Sequence, residues 1–250
     1  MKLTLVGAGP GDPELITLKG IKALKQAAVV MYDALVHPDL LDYCRPDALK
    51  VYVGKRINEY SCTQEEINPL IVHYAQTYGH VVRLKGGDSF IFGRGYEEME
   101  YARQYGVETE VIPGLSSSYA VPALAGIPLT TRGVSESFWV VTGTTKTGQL
   151  SQDLQKAAQS TATVVILMGM HKLAEIMEVF GECGKADLPV AIVQNGSLSE
   201  EQVITGQVST IVERVASSGI GSPAIIVVGE VARLRELQLA DLQQAIANPN

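Results

Sequence analysis

Short apolar segments alternate with longer polar or amphipathic segments along the whole chain of 250 residues. The apolar segments are rich in valine, isoleucine and leucine, and several end at a glycine, an aspartate or a basic residue. This alternation predicts an α/β fold, in which strands and helices follow one another. After a first strand that ends at Gly7, the predicted strands cover residues 29–32, 50–53, 81–84, 107–112, 138–141, 164–167, 190–193 and 224–228.

One helix carries clear signals in the segment after the third strand. Thr63, followed three residues later by Glu66, has the spacing of a capping box at a helix start. The apolar residues that follow share one helical face, which we expect to pack in the core. They are Ile67, Leu70, Ile71 and Tyr74.

A candidate domain boundary follows the strand that ends at residue 112. Pro113 and Gly114 interrupt the pattern there, and a run of serines covers 116–118. We therefore predict two α/β domains, 1–112 and 113–250, with the ligand site in the cleft between them. The second domain is expected to end in a helical tail from about Arg235.

Composition and charge argue against several classes of protein. A formal charge of −7 is unlike that of a nucleic-acid-binding protein, which usually carries a broad basic face. No apolar run approaches the roughly 20 residues of a membrane span, so we expect a cytoplasmic protein. The three cysteines and four histidines show no metal-ligand spacing, and we predict no metal site.

Two glycine-rich segments follow predicted strands. Gly86 and Gly87 precede Asp88, at the strand end where open α/β sheets bind their ligands. The other segment, 7–12, combines three glycines with Pro10. Its spacing departs from the dinucleotide-binding pattern, and it lacks the Gly-Lys-Ser or Gly-Lys-Thr ending of a P-loop. Such a turn suits a neutral or cationic ligand better than a phosphate.

Charged side chains also follow the predicted strands. Asp33 comes after the second strand, and Lys55 and Arg56 come after the third. Arg94 and Glu97 lie in the segment that follows the fourth strand. Together these groups suggest one pocket that holds a carboxylate and several cations, a possible acid–base set.

Taken in order over nearly the whole chain, these segments resemble the tetrapyrrole methyltransferase family, which belongs to the class III S-adenosylmethionine-dependent methyltransferases. The most specific part is the block Lys85–Asp88 followed by Gly93–Gly95. Further matching segments are 6–12, 32–36, 54–56, 113–114, 126–130, 132–133, 168–169, 195–196 and 222–224. The resemblance implies two α/β domains of the tetrapyrrole methylase type, the first on the acceptor side and the second on the donor side.

The resemblance also implies an activity. S-adenosylmethionine is the implied methyl donor, and S-adenosylhomocysteine is its product. The implied acceptor is a small-molecule tetrapyrrole, uroporphyrinogen III, methylated at C-2 and C-7 to precorrin-2 by way of precorrin-1, in sirohaem and cobalamin biosynthesis. A homodimer is implied as well, with no nucleic-acid or membrane partner.

The same resemblance implies roles for individual residues. Asp33 is the expected proton acceptor and Lys55 the expected proton donor, with Arg94 and Glu97 as alternative participants. The residues expected to contact the donor are Pro10, Gly86, Gly87, Asp88, Ile91, Ser116, Ser117, Met168, Gly196 and Ala224. Those expected to contact the acceptor are Arg56, Arg94, Arg132 and Met168. Thr131 stands where the family commonly has a histidine.

Two other hypotheses remain open. One is a methyltransferase of the same family that acts on a later corrin intermediate; the segments 54–56 and 93–98 favour the earlier acceptor instead. The other is a protein that binds S-adenosylmethionine without catalysis. The presence of Asp33, Lys55 and Arg94 favours an enzyme over this second alternative.

Overall fold

The computed structural model describes residues 1–54 and 62–235. The chain divides into two compact units, Met1–Ser117 and Ser118–Asn250, and each unit contains one sheet. Lys55, Arg56 and the predicted tail after Arg235 lie outside the described residues. Within the described ranges, no helix is both long enough and apolar enough to cross a membrane.

The first unit is built on a sheet of five parallel strands in the order β3-β2-β4-β1-β5. The strands are β1 (Lys2–Gly7), β2 (Val29–Tyr32), β3 (Leu49–Tyr52), β4 (His80–Lys85) and β5 (Glu108–Ile112). The helices are α1 (Leu18–Gln26), α2 (Gln64–Tyr78) and α3 (Gly95–Gln104), with 3-10 turns at Pro13–Leu15 and Pro38–Tyr43. Because the strands are parallel, their carboxyl ends meet at one edge of the sheet, and so do the loops that follow them.

Both faces of this sheet are buried along its three central strands, β2, β4 and β1. Leu3 and Leu5 of β1 pack in one cluster with Ile71 of α2, and Val6 packs in a second cluster with Leu24 of α1. A sheet covered on both faces needs apolar side chains at successive positions rather than at alternate ones. This explains the continuous apolar run of β2.

The helix predicted from the capping box is present as α2. The Thr63 N–H donates to Glu66 Oε2 at 2.7 Å, and the helix starts at the next residue. Ile67 and Ile71 are buried, and Leu70 and Tyr74 are partly buried against the same cluster. The predicted core-facing stripe is therefore confirmed.

The second unit has a mixed sheet in the order β6-β7-β10-β8-β9. Its strands are β6 (Phe138–Thr142), β7 (Thr163–Leu167), β8 (Pro189–Gln194), β9 (Gln202–Gln207) and β10 (Ala224–Val228). The helices are α4 (Ser117–Leu124), α5 (Asp153–Gln159), α6 (Leu173–Glu182) and α7 (Ile211–Ser218), with a 3-10 turn at Met170–Lys172. β6 runs parallel to β7, whereas the other pairs are antiparallel.

Each strand predicted from the sequence is present, and β9 is an addition. β9 lies at the edge of the second sheet, and its side chains are exposed or partly exposed. Its sequence, Gln202-Val-Ile-Thr-Gly-Gln207, has a short apolar core and an internal glycine. The continuous apolar pattern that marks the buried strands is therefore missing from it.

Candidate functional site

Backbone contacts join three loops at the carboxyl edge of the first sheet, those after β1, β4 and β5. The Gly9 N–H donates to Gly87 O at 3.2 Å, and the Gly87 N–H donates to Gly9 O at 2.7 Å. Gly114, after β5, lies so close that a Cβ atom added to it would be 2.4 Å from Gly87 O. Only a residue without a side chain allows this approach. The three loops therefore pack backbone against backbone.

The carboxylate of Asp88 joins the loop after β4 to the loop after β5. Its Oδ2 accepts a hydrogen bond from the Gly114 N–H at 3.0 Å, and its Oδ1 accepts one from the Phe90 N–H at 2.8 Å. A carboxylate offers about four acceptor positions, so two remain for another donor or a cation. Asp88 thus has a structural role, and its predicted contact with the methyl donor stays a prediction.

The two glycines that precede Asp88 serve different purposes. A Cβ atom on Gly86 would lie 2.6 Å from the Cβ of Leu35, so this glycine makes room for Leu35, and its predicted contact with the donor stays a prediction. A Cβ atom on Gly87 would meet, among the described atoms, nothing closer than Ser117 N at 3.7 Å. Gly87 therefore leaves open space at the sheet edge, where its backbone can approach a ligand.

Asp33 follows β2 and pairs with a buried arginine of the neighbouring strand β4. Its Oδ2 lies 3.6 Å from Arg83 Nη2, and its Oδ1 accepts a hydrogen bond from the Leu35 N–H at 3.2 Å. The Asp33 side chain is 24% exposed, whereas the Arg83 side chain is 3% exposed. Asp33 is thus anchored on the protein side and still accessible, as a proton acceptor for a ligand has to be.

A fully buried carboxylate, Glu98 of α3, lies next to Arg83. Glu98 Oε1 is 2.8 Å from Lys85 Nζ and 3.4 Å from Arg83 Nε, and it accepts a hydrogen bond from Gln64 Nε2 at 3.1 Å. Burial lowers the pKa of Lys85, as does the nearby charge of Arg83, although Glu98 opposes this effect. This network of Arg83, Lys85, Glu98 and Asp33 is called the buried charge network below.

The residues predicted for the site do not include Arg83, Lys85 or Glu98. A signal was present for the two cations, because they stand two residues apart in an apolar strand and therefore point to the same face. Cations on the buried face of a strand need a carboxylate partner inside the protein. That partner is Glu98, which comes 13 residues after Lys85 and belongs to α3, so its position depends on tertiary packing.

Arg94 and Glu97 pair with each other at the start of α3. Arg94 Nη2 lies 2.6 Å from Glu97 Oε2, and Arg94 Nε donates to Glu97 Oε1 at 3.0 Å. The pairing raises the pKa of Arg94. Both side chains are largely exposed, at 43% and 53%, and an exposed ion pair contributes little to stability. Arg94 can therefore exchange Glu97 for a ligand carboxylate at small cost.

Three residues predicted to contact the donor lie at one edge of the second sheet. Met168 follows β7 and Gly196 comes two residues after the end of β8. Ala224 is the first residue of β10, which runs antiparallel to both strands, so it lies at the same edge. A Cβ atom on Gly196 would lie 2.3 Å from Val121 Cγ1, so this glycine allows α4 to pack closely.

Left-handed backbone conformations occur at several non-glycine residues of these loops. They are Phe92, Arg94, Met168, Asn195 and Ser197. Met168 has a φ of +55° and a side chain that is 52% exposed. Such conformations cost of order 1–3 kcal/mol each and cluster at ligand sites. The loops after β4, β7 and β8 therefore hold backbone strain.

The remaining predicted residues are distributed over the two units. Pro10 and Ser117 are half-buried, Ser116 is buried, and Ile91 is exposed between β4 and α3. Arg132 is exposed in a turn closed by the Thr131 N–H, which donates to Ser135 O at 2.9 Å. Their roles stay predictions. In the part of the chain that the structure describes, no cluster of histidine, cysteine, aspartate and glutamate could hold a metal ion.

Comparison with known proteins identifies relatives over nearly the full length. The family model for Tetrapyrrole (Corrin/Porphyrin) Methylases matches residues 2–212. The chain is 45% identical over 239 residues to the uroporphyrinogen-III C-methyltransferase of Methanocaldococcus jannaschii, with 95% of this chain and 99% of that protein covered. It is also 45% identical over 231 residues to a siroheme synthase of Psychrobacter cryohalolentis. That match covers 92% of this chain but 44% of the longer relative, so the chain spans less than half of it.

Solved structures show the same relationship. The uroporphyrin-III C-methyl transferase of Thermus thermophilus, complexed with S-adenyl homocysteine, is 38% identical with a TM-score of 0.81, covering 94% of this chain and 100% of that one. A cobalt precorrin-4 methyltransferase is 28% identical with a TM-score of 0.82, covering 92% and 95%. The predicted fold of two α/β units is confirmed. By family model, sequence and fold, the chain belongs to the tetrapyrrole methylase family.

Proposed function

We propose that this protein transfers methyl groups from S-adenosylmethionine to C-2 and C-7 of uroporphyrinogen III, giving precorrin-2 by way of precorrin-1. The observation that carries the proposal is the 45% identity to a uroporphyrinogen-III C-methyltransferase of which the chain covers 99%. The solved relative bound to S-adenyl homocysteine supports the choice of donor. Precorrin-2 made in this way would enter sirohaem and cobalamin biosynthesis.

The residues proposed to hold the donor fit a sulfonium compound. Gly87 leaves open space beside its backbone, and Asp88 keeps acceptor capacity for a cation. Met168 projects from a left-handed position with more than half of its side chain exposed. The further proposed contacts are Pro10, Gly86, Ile91, Ser116, Ser117, Gly196 and Ala224. The predicted position of the site between the two domains stays a proposal.

The acceptor is expected to bind through arginines. Uroporphyrinogen III carries carboxylates around its ring, and the guanidinium group meets a carboxylate with two parallel hydrogen bonds. Arg132 is exposed, and Arg94 is held by Glu97 in an exposed pair. We propose that Arg56, Arg94 and Arg132 bind the acceptor's carboxylates and that Met168 also contacts the acceptor. Local cations of this kind let a chain of net charge −7 bind an anionic ligand.

The chain's own residues have two tasks in this reaction. The donor supplies a methyl group on a sulfonium and leaves as S-adenosylhomocysteine. Pyrrole carbons are already nucleophilic, so orientation of the acceptor and exclusion of water supply much of the rate. Each methylation leaves the ring system with one proton to lose, and we propose that Asp33 accepts it. Lys55 is the proposed proton donor, and Arg94 and Glu97 are alternative participants.

The test is an anaerobic incubation with uroporphyrinogen III and S-adenosylmethionine, followed by mass and absorbance spectra. We expect an acceptor heavier by two methyl groups and two equivalents of S-adenosylhomocysteine. An unchanged tetrapyrrole together with donor binding would refute the assignment. In that case a later corrin intermediate is the next acceptor to test, because a cobalt precorrin-4 methyltransferase has the same fold at 28% identity. Donor binding without turnover of either acceptor would indicate a binding protein.

We also propose that the protein is a cytoplasmic homodimer, as the family resemblance implies. Light scattering coupled to size-exclusion chromatography measures the mass in solution. A mass near twice the 26.8 kDa of one chain is expected, and a mass near 26.8 kDa would contradict the dimer.

A further inference from the structure

We propose that Glu98 is a positioning residue for Asp33. Because Glu98 and Asp33 share the guanidinium of Arg83 as a common ion-pair partner, Glu98 sets how strongly Arg83 pairs with Asp33 and so how well Asp33 accepts a proton. This inference rests on the proposed function, in which Asp33 accepts a proton. Glu98 is fully buried and belongs to α3, whereas Asp33 follows β2. The effect of Glu98 on the reaction therefore passes through Arg83.

The planar head group of Arg83 lies between the two carboxylates. Its Nη1 donates hydrogen bonds to Leu84 O at 3.0 Å and to Met31 O at 3.5 Å. Its Nε lies 3.4 Å from Glu98 Oε1, and its Nη2 lies 3.6 Å from Asp33 Oδ2; both are ion-pair contacts rather than hydrogen bonds. Because the guanidinium is rigid and planar, fixing one end of it fixes the direction of the other. β2 and β4 are neighbours in register, with Tyr32 beside Leu84, which brings Asp33 next to Arg83. The contact with Glu98 is thus one of the constraints on how Arg83 meets Asp33.

Burial keeps water from screening the attraction between Arg83 and Glu98. The Glu98 side chain is 0% exposed and that of Arg83 is 3% exposed, so water screens their attraction little. Asp33, at 24% exposure, is the more hydrated of the two carboxylates. Without the charge of Glu98, Asp33 would be the carboxylate that remains paired with Arg83. A carboxylate in a close, undivided pair with a guanidinium is a weaker proton acceptor than one that shares it.

Lys85 does not replace this effect. In the buried charge network, protonated Arg83 and Lys85 balance Glu98 and Asp33, two charges of each sign. Lys85 Nζ lies 2.8 Å from Glu98 Oε1, whereas Arg83 forms ion pairs with both Glu98 and Asp33. Loss of the Glu98 charge therefore acts mainly on Arg83 and, through it, on Asp33.

The test in activity uses Glu98→Gln, which keeps the size and an oxygen acceptor but removes the charge. We expect kcat to fall about tenfold, within the range of coupling between contacting residues. The KM for the donor and the calorimetric Kd of S-adenosylhomocysteine should stay within about twofold, since the substitution alters a network and not the donor contacts. In an Asp33→Ala background, Glu98→Gln should cause no further fall. Glu100→Gln, an exposed site on the same helix, is the matched control and should match the wild type.

Two results would overturn the proposal. One is a Glu98→Gln protein that turns over like the wild type, and the other is an equal fall of kcat with and without Asp33. If Glu98→Gln does not fold, Arg83→Lys is the second variant, since it keeps the charge but lacks the planar head group that reaches both carboxylates. Its kcat should also fall about tenfold, and only when Asp33 is present. Unchanged turnover of Arg83→Lys would refute the division of the guanidinium.

A measurement of stability separates this inference from the proposed function. Urea unfolding of Glu98→Gln, Asp33→Asn and the double variant forms a cycle that needs no substrate. If the two carboxylates share Arg83, the double variant loses more stability than the sum of the single variants, because Arg83 then has neither partner. Additive losses would contradict the shared guanidinium. A wild-type protein without methyltransferase activity would refute the proposed function and leave this result standing.

Discussion

The close contact of Gly114 with two other loops makes Gly114→Ala the most informative single substitution. A Cβ atom there would lie 2.4 Å from Gly87 O and 2.6 Å from Gly7 C, both backbone atoms that cannot rotate away. The loops would have to separate by roughly 1 Å to restore ordinary contact distances. That movement disturbs the hydrogen bond from the Gly114 N–H to Asp88, at 3.0 Å, and the paired bonds between Gly9 and Gly87.

The expected cost follows from these losses. Overpacking at a well-packed position costs about 1–3 kcal/mol. A weakened hydrogen bond to a charged group adds about 1.5 kcal/mol or more. We therefore expect Gly114→Ala to lower the free energy of unfolding by about 3 kcal/mol. Because Asp88 and Gly87 are proposed donor contacts, the affinity for S-adenosylhomocysteine should fall as well.

The assay is urea unfolding, with calorimetric titration of S-adenosylhomocysteine on the folded protein. The matched control is Gly181→Ala in α6, where an added Cβ atom would meet no described residue outside its own helix within 4 Å. Alanine is the better helix former by up to about 1 kcal/mol, so the control should unfold at the same or a higher urea concentration. Equal unfolding midpoints for Gly114→Ala and the wild type would refute the contact between the loops.

Three further predictions concern single side chains. Asp33→Ala should lower kcat by about a hundredfold, as loss of a general base does, and leave the Kd of S-adenosylhomocysteine unchanged in calorimetry; wild-type turnover would remove Asp33 from the mechanism. Lys19 and, to a smaller extent, Lys2 lower the pKa of Glu110 from 4.5 to about 2, so its stabilising effect, present above 4.5, is lost as the pH falls toward 2. In urea unfolding, the free energy of unfolding of Glu110→Gln should change less with pH over that range than that of the wild type. The same pH dependence in both proteins would contradict the pairing. Burial lowers the pKa of His80 below 6.5, so the stability of the protein should decline as the pH falls below 6.5. Between pH 7.5 and 5, the melting temperature of His80→Gln should fall less than that of the wild type.

Much of the fold could be predicted because its central strands are buried on both faces. β2 and β10 have the predicted bounds, since apolar residues fill them and Asp33 and Gly229 follow them directly. β9 could not be predicted in this way, because its apolar part is limited to Val203 and Ile204 and a glycine follows close behind. Local signals succeeded where the interaction is local, as with Thr63 and Glu66.

The candidate site was predictable only in part. Placing Asp33 and Asp88 at strand ends required no more than the positions of the strands. The bond between Asp88 and Gly114 joins residues 26 apart, and it depends on the order of strands in the sheet. Glycine at position 86 suggested a ligand contact, which stays a prediction; the close approach of Leu35 to Gly86 could not be predicted from the sequence. Glu98 is the partner of Arg83 and Lys85 because of how α3 packs on the sheet. The spacing of apolar residues in the sequence does not carry that information.

The left-handed backbone of Met168 has a consequence for engineering. Glycine adopts such a φ of +55° without steric cost, so Met168→Gly would relieve strain at that position. Screening for heat resistance alone would therefore favour variants at this position that discard a proposed ligand contact. Stabilising substitutions in loops that combine a strained backbone with an exposed side chain are therefore the ones expected to reduce ligand binding and activity first. Stabilising substitutions are better sought at sites such as Gly181, which has a helical φ and, among the described residues beyond its own helix, no atom within 4 Å of an added Cβ.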